Sequence, residues 1–177
     1  MYKKKYGRMT VSAWLNSEME QSKPILMVIV GILICLIGLL VRIGVGAPYR
    51  MMLELGIGDL VPPVWLMALL WSMALFSIGC AGGFVIGYRE RGYPGEKYKG
   101  CMLFLLLVVL EMLWYPMFFS LGFVFLSVLL TVLILCLSVA TTSCFYRVSK
   151  FAGMIFLLHN AWLIYLLILN FSVLFRN

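Results

Sequence analysis

The stretch Pro62–Gly79, PPVWLMALLWSMALFSIG, carries no charged residue and opens on two prolines. Proline suits the first turn of a helix, where its missing N–H would have no intrahelical partner, so Pro62 and Pro63 mark a loop turning into a long helix. That helix holds Trp65 and Trp71, six residues apart. Six residues advance a helix by about 600° and set the indoles about 120° apart, so both face one cavity only if it is wide or the helix is partly enclosed. Apolar sequence with tryptophans near the mouth of a loop predicts a binding chamber inside a membrane bundle.

Composition places the rest of the chain in the same setting. Of 177 residues, 64% are hydrophobic, well above the roughly 45–50% of soluble domains, and the mean hydropathy is +1.05. Charges cluster and leave uncharged runs at 24–41, 60–88 and 112–146. A helix needs about 20 apolar residues to cross the bilayer, so the longest run must be divided. The fold expected is all-α, a bundle of five transmembrane helices spanning about 24–45, 62–88, 101–120, 123–146 and 151–175. A basic segment, 1–23, precedes the membrane domain at 24–177. It reads as a disordered tail, with a short interfacial helix as the alternative. A cleavable signal is not expected, because the first apolar run is long and follows many polar residues.

Five spans put the termini on opposite sides. Of the 14 Lys and Arg residues, eleven fall on the N-terminal side and three, Arg42, Arg50 and Arg176, on the other. The positive-inside rule then predicts a cytoplasmic N-terminus. The net charge of +7 is thereby used for topology rather than for nucleic acid, for which no folded basic face is expected. Cys35, Cys80, Cys101, Cys136 and Cys144 stand singly in apolar sequence, so they read as small apolar residues with no metal site. Gly79, Gly83 and Gly87 form a stripe at i, i+4 and i+8 that suits close helix packing, within the bundle or at a homodimer face. Residues 46–61 mix Gly, Pro and charges, and they are long enough to fold over a cavity as a lid.

Two spans carry polar residues that need a reason. Glu111 lies about ten residues into the third span, and Trp114 and Phe118 follow at i+3 and i+7 on the same face. Pro116 deletes a backbone hydrogen bond beside Trp114 and favours a kink. On the fifth span His159, Trp162, Leu166 and Asn170 fall on one face, and His159 sits about nine residues in. Glu111 and His159 therefore stand at similar depth. They can pair directly or across a ligand, or serve only as satisfied structural residues. No Ser/His/Asp set, metal-spaced cluster or phosphate-cradling loop is present.

These blocks resemble the TspO/MBR family, the tryptophan-rich sensory proteins that include the mitochondrial translocator protein. The family's PPxWxFxxxW appears as Pro62, Pro63, Trp65 and Trp71, and its NxxWSxxFF as Glu111, Trp114, Tyr115, Phe118 and Phe119. Its PYLxWxxFAxxLN appears as Leu158, His159, Asn160, Trp162, Tyr165, Leu166, Leu169 and Asn170. The resemblance implies a five-helix bundle, often dimeric, in a bacterial cytoplasmic membrane, with a pocket opening toward the first loop. It implies porphyrin binding, with cholesterol or benzodiazepine-type drugs bound by some members. Carried-over pocket residues are Trp65, Trp71, Trp114, Trp162 and Asn170. Met51 and Met52 replace a family Trp-Tyr pair in the lid, which also holds Asp59. Glu111 replaces Asn, Leu107 replaces Gln, His159 replaces Tyr, and Leu166 replaces a small residue, so the usual drugs are expected to bind poorly.

The function expected is a membrane receptor or sensor for a flat, apolar ligand such as a porphyrin or haem-type tetrapyrrole, bound as ligand rather than as resident cofactor. A photo-oxidative tetrapyrrole-degrading enzyme and a tetrapyrrole or sterol transporter are the competing readings. The transporter is the weaker of the two, since no internal repeat is visible.

Overall fold

Prolines, glycines and short polar breaks divide the described residues into six helices. They are α1 (Val11–Gln21), α2 (Pro24–Val45), α3 (Val64–Gly87), α4 (Pro94–Phe119), α5 (Val124–Val148) and α6 (Lys150–Arg176). The structure, a computed structural model, describes residues 10–45, 62–89 and 94–176, apart from the side chains of Val64, Pro94 and Arg176. The expected lid residues Met51, Met52 and Asp59 lie outside the described residues. Among the described residues five helices, α2 to α6, are long and apolar enough to cross a membrane.

The five long helices close into a ring in the order α2, α3, α6, α5, α4 and back to α2. The tightest seam is α2 on α3, and small residues make it. A Cβ on Gly79 would lie 2.6 Å from the Cα of Gly31, and one on Gly83 would meet the backbone at Leu26 and Met27. One on Gly87 would sit 3.0 Å from Lys23 N. The glycine stripe is thus spent within the protomer, on α2. Along this seam α2 buries Gly31, Ile34 and Gly38 and packs Met27, Val30, Cys35 and Val41 part-buried against the core, while Ile32, Leu33, Leu36 and Leu40 are exposed, as lipid contact requires. The turn between α4 and α5 depends on Gly122, whose φ of +66° is readily adopted only without a Cβ.

Polar bonds hold α5 to α6. Asn170 Nδ2 donates to Thr131 Oγ1 at 2.8 Å, and Thr131 in turn donates to the Ser127 carbonyl at 2.8 Å. Nearer the α1 end, Ser138 donates to Asn160 Oδ1, and Asn160 Nδ2 donates to Thr142 Oγ1 at 3.0 Å. Such side-chain bonds satisfy groups that would otherwise be unpaired in hydrocarbon.

Two expectations need correction. Residues 11–21 are not a disordered tail but α1, N-capped by the Thr10 side chain on Ala13 N. The helix is tied to the bundle by Tyr88 Oη donating to Gln21 Oε1 at 3.0 Å and by Ser22 Oγ donating to the Phe84 carbonyl at 2.9 Å. Ser149 also donates to Glu18, and Trp14 meets Phe151 edge-on at 6.4 Å. The second correction concerns residues 94–100, read from the sequence as part of a polar hinge. They are the first turns of α4, where Glu96 sits favourably at the helix N-terminus and pairs with Arg147 at 3.0 Å.

Candidate functional site

The site grows from helix phases. On α4, Glu111, Trp114 and Phe118 all point inward and are buried. Trp114 stacks on Phe118 with ring centroids 5.4 Å apart, while Tyr115 turns toward α3 and stacks on Trp71 at 5.0 Å. Phe119 closes this cluster against Tyr115 at 4.8 Å. On α6, His159, Trp162, Leu166 and Asn170 are likewise buried on one side. A second aromatic group, Phe84, Phe151, Phe145 and Phe156, fills the α1 end. It reaches the site through Phe156, whose ring lies edge-on to His159 at 5.8 Å.

Between the two aromatic groups stand Glu111 and His159. Their Oε2 and Nε2 atoms are 3.7 Å apart across the interior of the ring, with side-chain exposures of 5% and 0%. That separation suits an ion pair but exceeds a hydrogen bond. Neither carboxyl oxygen and neither imidazole nitrogen has a hydrogen-bond partner, and the same holds for the indole nitrogens of Trp114 and Trp162. Buried polar atoms are nearly always paired, so these six unpaired atoms on four residues single out the Glu111–His159 region as the candidate polar part of the site. Elsewhere in the core Asn170 is satisfied by Thr131, which identifies it as an α5–α6 clasp.

A separate apolar groove lies between α3 and α6. Its volume is about 260 Å³, and Pro62, Leu70, Met73, Ala74, Leu158, Ala161, Trp162 and Tyr165 line it. His159 points about 100° away from Leu158 around α6 and so looks into the ring rather than into the groove. Trp162 belongs to both places. Its ring walls the groove, while its unpaired Nε1 is on a residue one helical turn from His159.

The tryptophans of α3 do not gather around one chamber. Trp71 is buried against Tyr115, whereas Trp65 is 68% exposed and is absent from the groove lining. With a phase difference of about 120° between them, one indole is buried in the bundle and the other is exposed. The residues that sequence reasoning missed carry little signal. Leu70, Met73, Ala74 and Ala161 are ordinary membrane residues, and Leu158 and Tyr165 enter the sequence reading only as part of a family motif. Asn160 had a findable signal as an amide in an apolar span, and its partners Ser138 and Thr142 fall one turn apart on α5.

Among the described residues no group of three or more His, Cys, Asp or Glu side chains converges as a metal site would require.

Comparison with known proteins adds two findings. A family model described as the TspO/MBR family matches residues 25–176, a range that takes in every site residue named above and leaves α1 outside. A curated relative, the tryptophan-rich protein TspO of Chlorobaculum tepidum, is 28% identical over 116 residues, which cover 66% of this chain and 72% of the relative.

Proposed function

This chain belongs to the TspO/MBR family, and on that premise we propose that its ligand is flat and largely apolar, a porphyrin-type tetrapyrrole, bound edge-first in the groove between α3 and α6. It is a multi-pass membrane protein of the TspO sensor or binding type. The observation that carries the ligand reading is the groove itself, with Trp162 and Tyr165 on one wall and Leu70 and Met73 on the other. Aromatic walls give a rigid planar ligand large contact area at little conformational cost. At about 260 Å³ the groove falls just below the roughly 300–1,000 Å³ of enclosed ligand pockets. A tetrapyrrole therefore inserts one edge and leaves the opposite edge in lipid, entering sideways from the bilayer. The excess of Lys and Arg at the α1 end supports a cytoplasmic N-terminus.

Titrating the purified protein with a porphyrin, in darkness and in light, tests the proposal. Saturable binding in darkness with an unchanged porphyrin spectrum under illumination is the sensor result. Light-dependent loss of the porphyrin that requires the protein would replace sensing with degradation, and no saturable binding in either condition would remove the proposal.

A further inference from the structure

At the end of the bundle away from α1, Arg42 is a cation without a counter-charge. It stands in the last turn of α2 and is half-buried, although Leu39, Leu40 and Ile43 around it are exposed. Helix geometry aims it inward. One turn earlier on the same face, Gly38 would carry a Cβ only 3.4 Å from Trp71 Cη2, and Trp71 stacks on Tyr115 of α4 at 5.0 Å. Long side chains lean toward the N-terminus of their helix, so the guanidinium lies back over the Trp71–Tyr115 stack. Its charge is felt at the Tyr115 hydroxyl.

The protein supplies neither group with a partner. Among the described residues Glu111 faces His159, Glu96 pairs with Arg147, Glu18 accepts from Ser149, and Glu20 lies on α1 at the opposite end. No ion pair or hydrogen bond there involves Arg42 or the Tyr115 hydroxyl. The carbonyls that end α2 favour a cation in its last turn, but they do not account for one turned onto α4. A half-buried guanidinium beside a free hydroxyl calls for an anion from outside the protein. The place says which anion. Of the ring's seams, α2 on α4 is the thinnest, and the end of a spanning helix is where hydrocarbon gives way to lipid headgroups.

We propose that the end of the α2–α4 seam away from α1 binds one membrane phospholipid, its phosphate held between the Arg42 guanidinium and the Tyr115 hydroxyl and its acyl chains filling the thin seam. A guanidinium presents its N–H groups as a planar fork that matches two phosphate oxygens, and the Tyr115 O–H donates to a third. Both unpartnered groups are then satisfied by one headgroup. No residue of α2 or α4 lines the groove between α3 and α6, so this site is independent of the porphyrin reading.

The test titrates the purified full chain, in lipid-free detergent, with dioleoylphosphatidylglycerol, dioleoylglycerol and glycerol phosphate. Native mass spectrometry reads the bound adducts and a melting curve reads stability. Phosphatidylglycerol should bind saturably and raise the melting temperature, while the other two, lacking either the phosphate or the acyl chains, should bind at least about tenfold more weakly. Arg42→Gln and Tyr115→Phe should each weaken phosphatidylglycerol by about tenfold, the scale of a hydrogen bond to a charged group. Tyr115→Phe keeps the ring on Trp71, so it reads the hydroxyl alone even if Arg42→Gln disturbs the fold. Lys150→Gln, which removes an exposed cation at the α1 end, should leave binding unchanged. Glycerol phosphate binding as tightly as the phospholipid would make this a site for free anions, and dioleoylglycerol doing so would remove the phosphate from recognition. Either result overturns the proposal. So does an equal loss in Lys150→Gln, or a folded Arg42→Gln or Tyr115→Phe that binds as the wild type does.

Discussion

Replacing Gly79 by alanine adds a single methyl group at the seam that holds α2 to the bundle, and the structure gives the size of the effect. The new Cβ would lie 2.6 Å from the Gly31 Cα, 2.9 Å from the Val30 carbonyl oxygen and 3.0 Å from Gly31 N. All three are backbone atoms, so no rotamer change relieves the clash. Carbon atoms settle at about 3.5–4.0 Å, so the two helices must part by about 1 Å, which weakens every van der Waals contact along the seam. Overpacking of this kind costs about 1–3 kcal/mol. Gly44, on α2, is the control, since nothing stands within 4 Å of its added Cβ. Both substitutions gain the helix preference of alanine, up to about 1 kcal/mol, and in their difference that gain cancels. Gly79→Ala should therefore melt about 2–12 °C below Gly44→Ala in the same detergent, at about 2–4 °C per kcal/mol for a chain of this size. Intensity of tryptophan fluorescence against temperature reads it, because Trp71 lies next to Gly38 on the same seam. Equal melting temperatures, or Gly79→Ala the more stable, would show that α2 does not pack on α3 through glycine.

Three further outcomes are expected. Glu111→Leu and His159→Leu each leave a buried partner alone and should each cost about 1–3 kcal/mol. In the double variant the loss should fall short of the sum by about 0.5–3 kcal/mol, and strict additivity in a denaturation cycle would mean that the two groups do not interact. Asn170→Leu removes the bond to Thr131 and should lower stability by about 0.6–1.7 kcal/mol, the range of interhelical hydrogen bonds in membranes. An unchanged melting curve would count against the α5–α6 clasp. Gly122→Ala forces a Cβ into the left-handed region at φ +66° and should cost about 1–2 kcal/mol, read by the same melt, whereas a neutral effect would place the turn elsewhere.

Much of the fold is legible in the sequence because lipid is a demanding solvent. Pro24, the Pro62–Pro63 pair and Gly122 mark breaks that the structure places within about two residues of helix ends, and the glycine stripe names a close seam before its partner is known. Equal depth of Glu111 and His159 follows from counting residues from the same side. What hydropathy misses is helix that lies outside the bilayer. The first turns of α4 are polar and continue because Glu96 pairs with Arg147, and α1 owes its order to contacts with α3 and α6 that are distant in sequence. Phase explains why Trp65 and Trp71 part company, but it cannot say which of them faces inward, because both surroundings are apolar. The groove is the least legible feature. It is a gap between α3 and α6 where small Ala74 and Ala161 stand among larger neighbours, and a gap leaves no residue type to mark it.

The most direct measurement is the porphyrin affinity of Ala161→Trp, a substitution that fills the groove from its own lining. Alongside the wild type, dark titrations in nanodiscs follow the porphyrin absorption band, and a melting curve confirms that the variant is folded. If the ligand lies between α3 and α6, a folded Ala161→Trp binds at least about tenfold more weakly, the scale of a change of about 1.4 kcal/mol or more. A folded variant that binds as tightly as the wild type would put the ligand somewhere other than this groove.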